Sequence, residues 1–234
     1  MAVICALGSS VLLLTACANA DTARSSVAEA AQTESPTGSP TGSPTSTASP
    51  PLTEDQAERK ALIPMAKVTW DKAADTAVKE VPEGKLVDLE LKRVSDEATA
   101  SPGTPSPNTP APAPSEGAAE WEAKVAAEDG TVHRIDVDAV TGEVFRTQIE
   151  PDQDADDKRE LADQLREATQ TPHQAVKVAT DKTKGTVTSV ELDENDDQKL
   201  LWSVDVVSTD DWNKTTVDVD AKNGKILREH VDRD

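Results

Sequence analysis

Apolar and polar positions change period along this chain, and they do so twice in the same order. Ala175, Val176 and Ala179 recur at helical spacing. Val190 and Leu192, then Trp202, Val204 and Val206, then Val217 and Val219 alternate with the period of two expected of strands. The same succession comes earlier as Ala73, Ala74 and Ala77, then Leu86, Leu89 and Leu91, then Trp121, Ala123 and Val125, then Ile135 and Val137. The closing stretch Ile135-Asp136-Val137-Asp138-Ala139-Val140-Thr141-Gly142-Glu143-Val144 returns as Val217-Asp218-Val219-Asp220-Ala221-Lys222-Asn223-Gly224-Lys225-Ile226. Self-similarity of this kind marks a supersecondary unit built twice.

In the second unit, Thr171-Pro172-His173-Gln174 supplies an N-cap, a proline at the first helical position and a glutamine at the third. The helix is expected to end near Gly185. Asp210-Asp211-Trp212-Asn213 predicts one hairpin turn and Asp220-Ala221-Lys222-Asn223-Gly224 another, with Lys225-Ile226-Leu227 as a short fourth strand. Further helical stretches stand ahead of each unit, Glu54 to Lys67 and Asp156 to Gln170. The pattern predicts an α+β fold of two tandem units, each a helix packed on a three- to four-stranded antiparallel sheet. Their small cores are built of Leu, Val, Ile and Ala around tryptophan, because the chain has no Tyr and one Phe.

Three segments fall outside this pattern. The uncharged run Met1 to Ala16 centres on Val11-Leu12-Leu13-Leu14, too short to span a bilayer and suited to a secretory signal. Its end, Leu14-Thr15-Ala16-Cys17, resembles the bacterial lipobox, in which the cysteine is acylated. A plain secretory signal that happens to contain a cysteine is the alternative, and no Lys or Arg precedes the apolar run. From Cys17 to Leu52 the chain is rich in Ser, Thr, Pro, Gly and Ala, the composition of a disordered tether with an end-to-end reach of roughly 30–35 Å. A second Pro-rich stretch, 95–118, lies between the Leu91 and Trp121 strands, where the second unit has only Asp193-Glu194-Asn195-Asp196-Asp197. It reads as a disordered insertion within a domain. The expected organisation is signal 1–16, lipidated Cys17 and tether 17–52, first domain 53–150 with insertion 95–118, and second domain 151–234.

Composition narrows the chemistry. The net charge of -20 disfavours nucleic acid and anionic surfaces as partners. With cysteine only at positions 5 and 17, the mature chain has no disulfide, no thiol nucleophile and no cysteine zinc site. His133, His173 and His230 are widely separated, and no nucleophile elbow, zinc spacing, phosphate loop or dinucleotide fingerprint is present. The expectation is a chain that is not an enzyme and that takes neither cofactor nor metal.

The order of a small-residue helix, a Gly-x-[Leu/Val]-x-x-[Leu/Val] strand, a Trp-centred strand and a closing Val-Asp-Ala-x-x-Gly-[Lys/Glu]-[Val/Ile] resembles the PepSY domain. The whole chain is similar to the two-PepSY lipoproteins of actinomycetes. That resemblance implies a cystatin-like α+β fold and a non-catalytic, extracytoplasmic role. It also implies anchorage at the cell membrane through Cys17 and control of a peptidase or another envelope protein.

The candidate sites follow. Trp212, with Asp211, falls at a predicted hairpin tip and Trp70 has no counterpart in the other unit, so these are candidate partner contacts. Trp212 folded back on the neighbouring unit is the competing reading. Asp205, Asp218 and Asp220 lie on one strand face and form a candidate acidic surface for a cation or small ligand, or the ordinary polar face of a half-buried sheet. Asp193-x-Asn195-x-Asp197 opens like a calcium loop but has Gln198 sixth and Val204 twelfth, where Gly and Glu are needed. The partner's identity and the oligomeric state stay open.

Overall fold

A computed structural model describes residues 51–95 and 111–233. Cys17, the signal, the tether and residues 96–110 of the expected insertion lie outside the described residues. The elements run α1 (Glu54–Leu62), a 3-10 turn (Ile63–Met65), α2 (Trp70–Lys79), β1 (Lys85–Arg93), β2 (Ala119–Ala126), β3 (Val132–Asp138) and β4 (Val144–Ile149). Then follow α3 (Ala155–Glu167), α4 (Pro172–Lys182), β5 (Thr186–Glu194), β6 (Leu200–Val207), β7 (Lys214–Asp220) and β8 (Ile226–Asp232).

Local chemistry places the helix starts. Thr53 with Gln56, Asp154 with Asp157 and Thr171 with Gln174 each form a reciprocal capping box, which satisfies donors that the first turn leaves free. The first helix ends at Leu62 instead of Lys67 because Pro64 cannot continue an α-helical ladder, and the chain tightens into the 3-10 turn. The fourth strand of the second half is longer than Lys225-Ile226-Leu227 suggests and reaches Asp232.

The strands form one sheet, in the order β4-β3-β2-β1-β5-β6-β7-β8, with each paired neighbour antiparallel. The two halves therefore meet edge to edge at β1 and β5, where Asp88, Leu89 and Glu90 pair with Glu191, Val190 and Ser189. A sequence pattern shows which face of a strand is apolar but not which strand lies beside it, so this seam was not visible in it. Helices α2 and α4 both cover one face: α2 lies over β1, β2 and β3, and α4 over β5, β6 and β7. Small residues at Ala73, Ala74, Ala77, Ala175 and Ala179 let them approach closely.

The two halves repeat their tertiary bonds as well as their elements. Trp121 Nε1 donates to the Val68 carbonyl at 3.0 Å, and Trp202 Nε1 to the Gln170 carbonyl at 2.9 Å. Lys67 and Val68 both donate to the Ala139 carbonyl, as Thr169 and Gln170 do to that of Ala221. The cores interlock across the seam: Val207 joins the first half's cluster, Ala126 and Val132 join the second's, and Trp70 packs against both.

Close approach fixes one glycine. A Cβ on Gly185 would stand 2.3 Å from the Val207 carbonyl oxygen. Gly185→Ala is expected to force β5 and β6 apart at their ends and to cost about 1–3 kcal/mol, read as a lower urea midpoint. An unchanged midpoint would show that the strand end yields freely.

Candidate binding face of the sheet

The face opposite the helices carries the charge. Strand alternation and register put Glu90 and Lys92 (β1), Glu120, Glu122 and Lys124 (β2), Arg134 and Asp136 (β3) and Arg146 (β4) on it side by side. In the first half these groups form a compact network. Glu122 pairs with Lys92 and Arg134, Arg134 Nε reaches Asp136 Oδ1 at 3.2 Å, Arg146 Nε donates to Asp136 Oδ2, and Lys124 Nζ meets Asp88 at 3.0 Å. The polar face is buried here, unlike the solvated face that alternation alone suggests. Glu120 and Asp136 are 0 % exposed and Arg146 is 4 % exposed. Neither Glu120 carboxylate oxygen has a hydrogen-bond partner among the described residues. Desolvation, followed by the neighbouring Asp136 charge, pushes the Glu120 carboxyl up to about 7. Glu90 and Glu191 at the seam are also raised, mainly by desolvation.

Residues 111–118 close one end of this face. Ala111 and Ala118 pack against buried Val94 and Phe145. Ala111 N–H donates to the Val144 carbonyl at 3.1 Å, Val94 N–H to Ala118 at 2.8 Å, and Arg93 Nη1 to Gly117 at 2.8 Å. This part of the expected disordered insertion is thus seated on the sheet, because small side chains let its backbone bond both β4 and the end of β1.

The residues singled out from the sequence go to different places. Trp212, at positive φ on the tip of its turn, is half-buried against the first half's core. Its carbonyl accepts from Arg59 Nη1 at 3.1 Å, so α1 ties the tip down. Asp211 accepts from Asn213 inside the same turn, and a hydrogen bond from Ser208 holds its carboxyl below the usual range. Trp70 packs between the two cores with its ring 4.8 Å from that of His173. Trp70 and Trp212 are thus each engaged within the fold and do not form one exposed patch.

Asp205 accepts from Thr216 Oγ1 at 2.6 Å and lies 3.3 Å from Lys214 Nζ. Asp220 caps its own turn by accepting from the Lys222 and Asn223 backbones. Asp218 is 4 % exposed and bound at Oδ2 by Arg228 Nε at 2.8 Å. These three aspartates share a face but are separately engaged. In the Asp193–Asp197 turn, Asn195 Oδ1 accepts from the Asp197 and Lys199 backbones and is spent inside the loop. The Glu120–Asp136–Arg146 network escaped the sequence reading. Its signal is the opposite charge at facing registers of β1 and β2 (Lys92 and Glu120) and of β3 and β4 (Asp136 and Arg146), visible only once the strands are paired.

Residues 169–230, which span α4 and β5 to β8, match the PepSY family, described as peptidase propeptide and YPEB domain. Among solved structures, a candidate lipoprotein of Clostridium difficile 630, CD1622, is similar at 20% identity over 71% of this chain and 95% of its own, with a TM-score of 0.39. The YpmB protein of Bacillus subtilis is similar at 15% identity over 69% of this chain and 96% of its own, with a TM-score of 0.27. The uncharacterised protein YkoJ of Bacillus subtilis strain 168 is 33% identical over an alignment 128 residues long that covers 48% of this chain and 74% of that protein. This chain therefore belongs to the family of YkoJ, and residues 169–230 are its PepSY domain.

Proposed function

We propose that this chain is a non-catalytic, lipid-anchored extracytoplasmic module that binds and regulates a peptidase or another envelope protein, and that both halves are PepSY-like units. The observation that carries this reading is the PepSY match itself: the matched half ends in β8, the outermost strand of the sheet, exposed from Ile226 to His230. A sheet edge of this kind offers main-chain groups to an incoming strand. The repeated tryptophan and backbone bonds of the two halves support treating the first as a diverged copy of the second. The Leu14-Thr15-Ala16-Cys17 motif supports the anchor.

Crosslinking on intact cells, followed by affinity capture and mass spectrometry, tests the role. Reproducible capture of a secreted or membrane peptidase, or of another envelope protein, is expected; no captured protein would overturn the reading. Cys17→Ala is expected to move the chain from the membrane fraction to the medium in a fractionation assay. Retention of that variant at the membrane would overturn the lipid anchor.

A further inference from the structure

The two halves can be superposed strand by strand, and the open face then shows what the second half lacks. Asp136 on β3 corresponds to Asp218 on β7, since each lies one residue before the valine that faces the strand tryptophan. Arg146 corresponds to Arg228, and each donates from Nε to the Oδ2 of its aspartate. In the first half a second guanidinium, that of Arg134, takes Asp136 Oδ1. Its counterpart is Thr216, whose hydroxyl turns to Asp205 instead. Asp218 Oδ1 is therefore buried with no hydrogen-bond partner among the described residues.

The surroundings have changed in the same direction. The places of Lys92 and Lys124 are held by Asp193 and Asp205, and those of Asp88, Glu120 and Glu122 by Ser189, Leu201 and Ser203. The second half thus loses three cations but on balance only one carboxylate, and its face is the more negative. At the end of the face that residues 111–118 close in the first half, the second half has only the short turn after β5, and a cavity of about 590 Å³ is lined there by Asp218. Asp193 to Asp197, Ser203 and Arg228 line it, and Leu201 and Leu227 give it an apolar side.

We infer that this cavity is a receptor for an arginine side chain of a protein partner, with Asp218 Oδ1 taking the guanidinium as Asp136 Oδ1 takes Arg134. Leu227 and Leu201 would lie along the aliphatic stem, and the acidic turn would draw a basic segment to the cavity. The inference deepens the binding-module reading and rests on it only in assigning the arginine to a protein.

The test uses the ¹⁵N-labelled full chain titrated with acetyl-Ala-Arg-Ala-amide and with its citrulline counterpart, which is neutral and nearly the same shape. Amide shifts centred on Thr216 to Asp218, Asn195 to Asp197 and Arg228 are expected with the arginine peptide and not with citrulline. Thr216→Arg, which supplies the missing guanidinium from within, is expected to weaken the peptide by about tenfold or more and to raise the melting temperature. Asp193→Asn with Asp197→Asn leaves the buried groups in place and is expected to weaken it severalfold, which covers the case in which Thr216→Arg fails to fold. An equal response to citrulline, or full affinity in both variants, would overturn the inference. Arginine binding without any captured protein on cells would sink the module reading and keep the site. A captured partner that still binds Thr216→Arg with full affinity would do the reverse.

Discussion

Glu120→Gln is expected to stabilise the fold at pH 8 and to change it little at pH 4. Glu120 is fully buried, its oxygens lack hydrogen bonds among the described residues, and Asp136 lies near. Its carboxyl is raised from 4.5 to about 7 in the folded state. The folded chain thus holds the proton more tightly than the unfolded chain. The stability linked to that proton is fully present below about pH 4.5, falls as pH rises, and is lost above about pH 7. Such a shift corresponds to about 3 kcal/mol between the two limits. Glutamine keeps the shape and removes the charge, so its advantage should emerge across this same window. Urea unfolding of both proteins between pH 4 and pH 8 measures it. Parallel curves for the two proteins would show that Glu120 is solvated in solution.

Arg146→Met is expected to have the opposite sign and a larger size. Arg146 is buried and donates to Asp136 Oδ2, on a face that also holds Glu120 and Glu122. Arg134 still holds Asp136 Oδ1 in this variant, but Oδ2 loses its partner in a buried site, and removing one partner of a buried ion pair costs about 3–5 kcal/mol. The loss should shrink from pH 8 towards pH 5, where Glu120 takes up its proton and its charge no longer stands beside Asp136. Adding Glu120→Gln should recover part of it, with a coupling of about 1 kcal/mol or more in a double-mutant cycle. Simple additivity of the two variants would show that Glu120 and the Asp136–Arg146 pair act independently.

These two effects lie where sequence reading stopped. Period and capping chemistry showed the strands around Leu89, Trp121, Val204 and Val217 and the helix that begins at Pro172, because each signal lies within one element. Pro64 is equally legible as a helix breaker, and it is what stops the helix short of Lys67. What depends on neighbours was not legible. The charged residues on β2 and β3 read as an ordinary solvated face, since nothing local reveals that residues 111–118 lie against the end of this face or that Arg134 and Arg146 flank one carboxylate. Trp212 stood at a turn tip as expected, but Arg59, more than 150 residues earlier, is what holds that tip down. The unpartnered Asp218 oxygen becomes meaningful only beside Asp136, after both halves are paired in register.

A sheet that does not close on itself has two outer strands, and a chain with two bare ones can add copies at both ends and grow into a fibre. Here the outer strands differ: Ala111 already takes a carbonyl of β4, while Ile226 to His230 of β8 stay exposed. Self-association through strands is thereby less favoured at the start of β4 than along β8. Two copies meeting β8 to β8 would form a two-fold pair whose remaining outer strands are both of the β4 kind. At high concentration, the association that β8 favours is therefore pairwise.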